Sequence, residues 1–80
     1  MARLPVVSGD EAIRAFEKAG WVRRRQVGSH VMLDKEDEVA TLSVPRHREL
    51  GPGILRRLIK DAGLTVEGFV RLTGGRTAER

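Results

Sequence analysis

Trp21-Val22-Arg23-Arg24-Arg25-Gln26-Val27-Gly28-Ser29-His30-Val31-Met32-Leu33-Asp34-Lys35 is the stretch that decides the fold of this chain. Val27-Gly28-Ser29 has turn chemistry, because Gly28 can take the positive φ that a tight hairpin demands. The flanking segments then read as two strands, 21–26 and 30–35. In the second, Val31 and Leu33 alternate with His30 and Met32, so the two pairs point to opposite sides of a sheet. The apolar pair marks the core side, which leaves His30 on the other. The first strand is ambiguous, since Trp21, Arg23 and Arg25 alternate with Val22, Arg24 and Gln26.

Working outward, the acidic cluster at Asp34-Lys35-Glu36-Asp37-Glu38 reads as a second hairpin turn, followed by a third strand over 39–44. Ala40, Leu42 and Val44 share its core face, and Thr41 and Ser43 fall on the open one. Pro45 ends it, because proline cannot donate to a sheet ladder. Upstream, Ser8-Gly9-Asp10-Glu11 has the capping-box pattern, with Ser8 as N-cap and Glu11 reaching back. Ile13 and Phe16, broadened by Ala12, Ala15 and Ala19, carry a helix over 9–19 that Gly20 stops. Downstream, Gly51-Pro52-Gly53 opens a second helix with Pro52 at or near its first position. Ile54, Leu55, Leu58, Ile59 and Ala62 form its apolar stripe, and Gly63 ends it. Thr65 caps a short third helix with Val66 and Phe69. The expectation is an α+β fold, α-β-β-β-α plus a short C-terminal helix, with a three-stranded antiparallel sheet and helices on one face only. That architecture resembles the double-stranded-RNA-binding domain (dsRBD). Residues 1–72 read as one domain and 73–80 as a disordered tail.

Eighty residues lie near the lower limit for folding on a hydrophobic core alone. Without cysteine there is neither a disulfide framework nor a thiolate metal site, which fits a reducing cytoplasm. No apolar run is long enough to span a bilayer, and the N-terminus has no secretory h-region, so a soluble, unexported protein with no membrane partner is expected. Lys and Arg number 15 against 11 acidic residues, a net charge of +4. The basic residues are bunched: Arg23 to Arg25 together, Arg46 and Arg48 around His47, and Arg56, Arg57 and Lys60 on the second helix. Such segregation suits a polyanion, or an acidic protein, on one side of the molecule.

The chain has two histidines, His30 and His47. Each reads most plainly as a solvated surface residue. His30 also reads as a proton-transfer group, since the strand fixes its direction, Gly28 admits close approach, and Ser29 adds a hydroxyl and an amide. An imidazole titrates near working pH and can give or take a proton with little tuning. Arg23, Arg24, Arg25, Arg46 and Arg48 form a plausible phosphate track, with His47 as a phosphate ligand or second acid–base group. Aromatic stacking residues are scarce, which argues against a single-strand stacking platform. The acidic cluster lacks the spacing of a calcium loop, and no Walker, dinucleotide or zinc-protease motif is present, so neither metal nor cofactor is expected.

Several short segments occur together in a definite order: Leu4-Pro5-Val6-Val7-Ser8-Gly9, Gly20-Trp21, Arg25-Gln26 before Gly28-Ser29-His30, Pro45 with His47, and Gly53-Ile54-Leu55. In that order they resemble the HicA-type mRNA interferase toxins of prokaryotic toxin–antitoxin pairs, over about residues 3–72. The resemblance implies an RNA-cleaving toxin of dsRBD-like fold in which the histidine of Gly28-Ser29-His30 is catalytic. It also implies inhibition by a HicB-type antitoxin that covers the active face. Trp21 stands where phenylalanine is usual, and Arg23-Arg24 is more basic than the family's first strand. A non-catalytic RNA-binding module and a protein that only holds an acidic partner are the competing readings.

Overall fold

The computed structural model describes residues 3–74. Its order is α1 (Gly9–Lys18), β1 (Val22–Val27), β2 (His30–Asp34), β3 (Leu42–Pro45), α2 (Pro52–Asp61) and α3 (Val66–Leu72). The strands form one antiparallel sheet in the order β1-β2-β3, an α+β fold with helices packed against the sheet, as expected.

Local chemistry sets the helix ends. At α1 the Glu11 amide donates to Ser8 Oγ at 3.0 Å and the Ser8 amide to Glu11 Oε1 at 2.8 Å, the reciprocal capping box. At its other end Gly20 takes φ 101, and the Trp21 and Gly20 amides close onto the Phe16 and Glu17 carbonyls. Helix α2 ends the same way: Gly63 has φ 75, and Leu64 and Gly63 bond back to Ile59 and Lys60. Thr65 caps α3 by accepting from the Gly68 amide.

Helices α1 and α2 both pack on β3, and α3 packs against α1 and α2. Between them lie Ile13, Phe16, Trp21, Val31, Leu33, Leu42, Val44, Leu55, Ile59 and Phe69, all buried. Phe16 and Phe69 meet with ring centroids 5.2 Å apart and planes tilted 45°. Val7 and Leu50, which no periodicity marked, are equally buried, because the segment before α1 and the loop before α2 bond each other through the Leu50 amide and the Val7 carbonyl.

The structure departs from expectation in several places. The third strand begins at Leu42, not at residue 39. Strand β2 stops at Asp34, so nothing remains for residues 39 and 40 to pair with. Instead Asp37 turns the chain at φ 70, the Glu38 amide closes on the Lys35 carbonyl, and Thr41 Oγ1 donates to Asp34 Oδ1 at 2.9 Å. Val39 is fully exposed, and Ala40 lies outside the strand whose core face it was assigned. Ile54, placed in the apolar stripe of α2, is 44% exposed. Thr73 and Gly74, assigned to the tail, instead cap α3, where Thr73 Oγ1 donates to the Val70 carbonyl. The rest of the expected tail, 75–80, lies outside the described residues.

Strand β1 is exposed along its whole length. It also carries a bulge: Arg23 pairs with Leu33 and Arg25 with the next residue, Met32, leaving Arg24 as the extra residue. This resolves the ambiguity of the arginine run. Arg23 shares the side of buried Leu33 and reaches Glu17 of α1 at 3.6 Å. Arg25 lies opposite Met32, on the side of His30. Arg24 meets Asp34, on that same open side, at 3.6 Å.

Candidate functional site

Val27 and His30 end β1 and β2, joined by Gly28 and Ser29 alone. Gly28 has φ 59 while Ser29 is not among the residues of positive φ, the sign pattern of a type II′ hairpin with glycine in first place. Both turn carbonyls are occupied. Gln26 Nε2 donates to the Gly28 oxygen at 3.0 Å, and the Arg46 amide donates to the Ser29 oxygen at 2.7 Å. The turn is thus held by β1 on one side and by the residue that follows β3 on the other. His30 emerges from it exposed, in a strand whose burial alternates with Val31 and Leu33 inside. Its cross-strand neighbours are Val27, 55% exposed, and Pro45, and its open-side companions along β2 are Met32 and Asp34.

The chain after β3 is tied to the start of α1. The Arg46 guanidinium grips the Asp10 carboxylate at two points, Nε to Oδ1 at 2.9 Å and a second nitrogen to Oδ2 at 3.3 Å. The Gly9 amide donates to the His47 carbonyl at 2.9 Å. Gly9 is required here by space: a Cβ on it would stand 2.0 Å from the Pro45 oxygen and 2.8 Å from Arg46 Cα. The hydrogen bond from Arg46, with its positive charge and those of Arg14 and Arg23, holds the Asp10 carboxyl below its ordinary 3.8 despite slight desolvation. The same bond raises Arg46.

The expected site residues are therefore only partly assembled. Gly28, Ser29, His30 and the loop carrying Arg46, His47 and Arg48 sit at one end of the sheet, with Arg24 and Arg25 on its open side. Arg23 is separated from them onto the helix side, and Arg46 is engaged by Asp10. His47 and Arg48 are exposed. The N-terminus of α2 has Gly51 as N-cap without a side-chain cap, Pro52 in its first turn and no acidic residue there. Sequence reasoning missed the contact of Asp10 and the structural roles of Gly9 and Gln26. Asp10 has no role in the capping-box pattern that contains it, and Gln26 reads as one of an undecided alternation. Only the register and the packing of α1 against the end of β3 expose their roles.

The carboxylates near the sheet are engaged by neighbours, Asp10 by Arg46 and Asp34 by Arg24 and Thr41. Among the described residues no three His, Asp or Glu side chains converge to hold a metal ion. No helix among them is long and apolar enough to cross a membrane.

These features define a small basic α+β domain with a histidine held by a tight hairpin on the open side of its sheet. Residues 9–64, more than half of the chain, match the family model for the HicA toxin of bacterial toxin–antitoxin systems. The chain belongs to that family and is the toxin member of a toxin–antitoxin pair, with an antitoxin as partner. The match spans all three strands and both longer helices, and α3 lies outside it. No curated protein matches the chain.

Proposed function

We propose that this toxin is a metal-independent endoribonuclease that cleaves mRNA in the cytoplasm, with His30 as general acid–base and a HicB-type antitoxin as the protein that covers it. The observation that carries the reading is the double anchoring of the Gly28-Ser29 turn, which presents an exposed imidazole at a strand end, on the side of the sheet that also carries Arg25.

His30 takes the proton of a ribose 2′-hydroxyl, and the freed oxygen attacks the adjacent phosphorus. The bond from phosphorus to the 5′-oxygen breaks, that oxygen takes up a proton, and a 2′,3′-cyclic phosphate and a 5′-hydroxyl remain. Gly28 and Ser29 let the phosphate approach the turn. Arg25 and Arg48 offset its charge, and His47 is a phosphate ligand or the second proton-transfer group. Carboxylates that bind a divalent ion are not part of the scheme, and Asp10 and Asp34 are bonded to neighbours.

The test is cleavage of a defined transcript by purified wild type and His30→Ala. The variant should keep its fold and lose roughly 10²–10⁴-fold in rate, the usual contribution of a positioned acid–base group. Wild-type-like cutting by the variant rejects the role of His30, and loss of wild-type cutting in EDTA rejects the metal-free route. Salt-dependent binding with the RNA recovered intact would instead identify a non-catalytic RNA-binding module.

A further inference from the structure

We infer that Asp10 is a positioning residue: acting through Arg46, it braces the hairpin turn that carries His30 against the N-terminus of α1. The inference rests on the nuclease reading for its kinetic consequence, though not for its geometry.

Four ion pairs join described residues, and the Asp10–Arg46 pair stands apart from the rest. The contacts of Arg23 with Glu17, Arg24 with Asp34 and Arg57 with Asp61 are 3.6, 3.6 and 3.9 Å, looser approaches at an exposure similar to that of Asp10 and Arg46. Asp10 and Arg46 meet at 2.9 and 3.3 Å in a two-point grip. Such bidentate pairs fix orientation as well as distance.

What lies on either side of the pair gives it a purpose. Asp10 sits in the first turn of a helix whose capping box is complete, so its backbone is fixed. Arg46 uses its side chain on Asp10 and its own amide on the Ser29 carbonyl at 2.7 Å, one residue before His30. The next residue, His47, gives its carbonyl to the Gly9 amide. Residue 46 is therefore the point at which a side-chain grip on the helix end and a backbone bond to the hairpin turn come from one residue, with the Gly9–His47 bond beside it. Arg46 belongs to the basic set a phosphate track would use, yet its guanidinium is already held by a carboxylate. Its contribution to the reaction is then indirect, by keeping turn and loop in register with each other.

The experiment compares wild type with Asp10→Asn, Arg46→Gln, the double variant and Asp10→Glu. Three quantities are read: single-turnover cleavage at saturating RNA, the salt dependence of RNA binding, and hydrogen exchange of the Arg46 amide. Asp10→Asn and Arg46→Gln should each slow cleavage by a similar factor, roughly tenfold, since small misplacements of catalytic groups cost this much or more. The double variant should be no slower than either single one, because the two residues act as a unit. Asp10→Glu, which retains the carboxylate, should recover much of the rate. Binding and its salt slope should stay as in wild type, and the Arg46 amide should exchange about two- to fivefold faster in Asp10→Asn, corresponding to an equal shift in the local opening equilibrium.

Three results overturn the inference. One is a salt slope that falls by about one in Arg46→Gln together with tighter RNA binding in Asp10→Asn, the behaviour of a direct phosphate ligand. Another is unchanged cleavage in both single variants. The last is Arg46 exchange unaltered by Asp10→Asn. Should the wild type cut no RNA, the nuclease reading fails by itself, and the amide exchange still decides for or against the brace.

Discussion

His30 lies opposite Pro45 across β2 and β3, at a place where neither backbone bonds the other. The Arg46 amide bonds the Ser29 carbonyl one step along, and in an antiparallel ladder bonded and non-bonded pairs alternate. Proline is thus tolerated inside the strand, because the donor it lacks would point away from the sheet. Its carbonyl points the same way, toward Gly9. Replacing Pro45 with Ala should therefore cost no ladder hydrogen bond, and the expected loss of about 1–2 kcal/mol comes from the packing of its buried ring and the added freedom of the unfolded chain. Urea denaturation of the two proteins measures this, and a loss well above that would mean that the backbone donor or acceptor at this position matters after all.

Gly9→Ala adds a side chain where Pro45→Ala removes one. Alanine is the better helix former by roughly 1 kcal/mol. Here its Cβ would stand 2.0 Å from a backbone oxygen, which cannot swing aside as a side chain could. A net destabilisation of about 1–3 kcal/mol is expected, as for other overpacked sites. Chemical denaturation gives the value. The amides of Arg46 and Leu50 should lose protection together, since the loop they belong to must move.

Trp21 is buried, yet its indole nitrogen is the buried side-chain donor without a partner among the described residues. An orphaned donor of this kind costs about 1–3 kcal/mol. Trp21→Phe discards the donor along with part of the ring, so the two effects oppose each other. The expected net change is under about 1.5 kcal/mol, against about 3–5 kcal/mol for Trp21→Ala, which discards the same donor but nearly all of the packing with it. Thermal and urea unfolding of the two variants provide the comparison.

The Asp10–Arg46 pair predicts a pH signature with a definite sign. The folded-state value for Asp10 lies below its ordinary 3.8, so the unfolded chain binds the proton more readily. Its contribution to stability is present in full above 3.8 and fades as the pH falls through the lower, folded value. Both side chains are about half exposed, at 49% and 44%, so solvent screening keeps the contribution small. Asp10→Asn should therefore lie below wild type at neutral pH and converge with it in acid. Parallel denaturation curves across pH 2–6 would remove the linkage.

Gly28 offers the most direct check on the hairpin. At φ 59 it occupies a backbone region that costs an L-residue roughly 1–2 kcal/mol, and there is open space where a Cβ would go. Gly28→Ala should thus lose about that much stability from backbone strain alone, without any clash. A loss near zero by urea denaturation would mean that the turn relaxes into another type.

The sequence alone determined the parts of this protein that depend on nearest neighbours. The capping box at Ser8 and Glu11, the glycine stops at Gly20 and Gly63 and the hairpin at Gly28-Ser29 are set within a few residues, and each appears as its local chemistry requires. The alternation of Val31 and Leu33 with His30 follows from the pleat of a strand, so the outward direction of that histidine was legible as well. Only the tertiary structure decided where the arginines went. A single inserted residue in β1 sends Arg23 to the helix side and Arg24 and Arg25 to the open side, and a bulge arises from pairing with another strand rather than from the residues that form it. The same holds for Asp10 and Arg46, 36 residues apart in the chain. Their contact exists because the missing side chain of Gly9 lets α1 press against the end of β3, a fit between surfaces that no spacing along the sequence expresses.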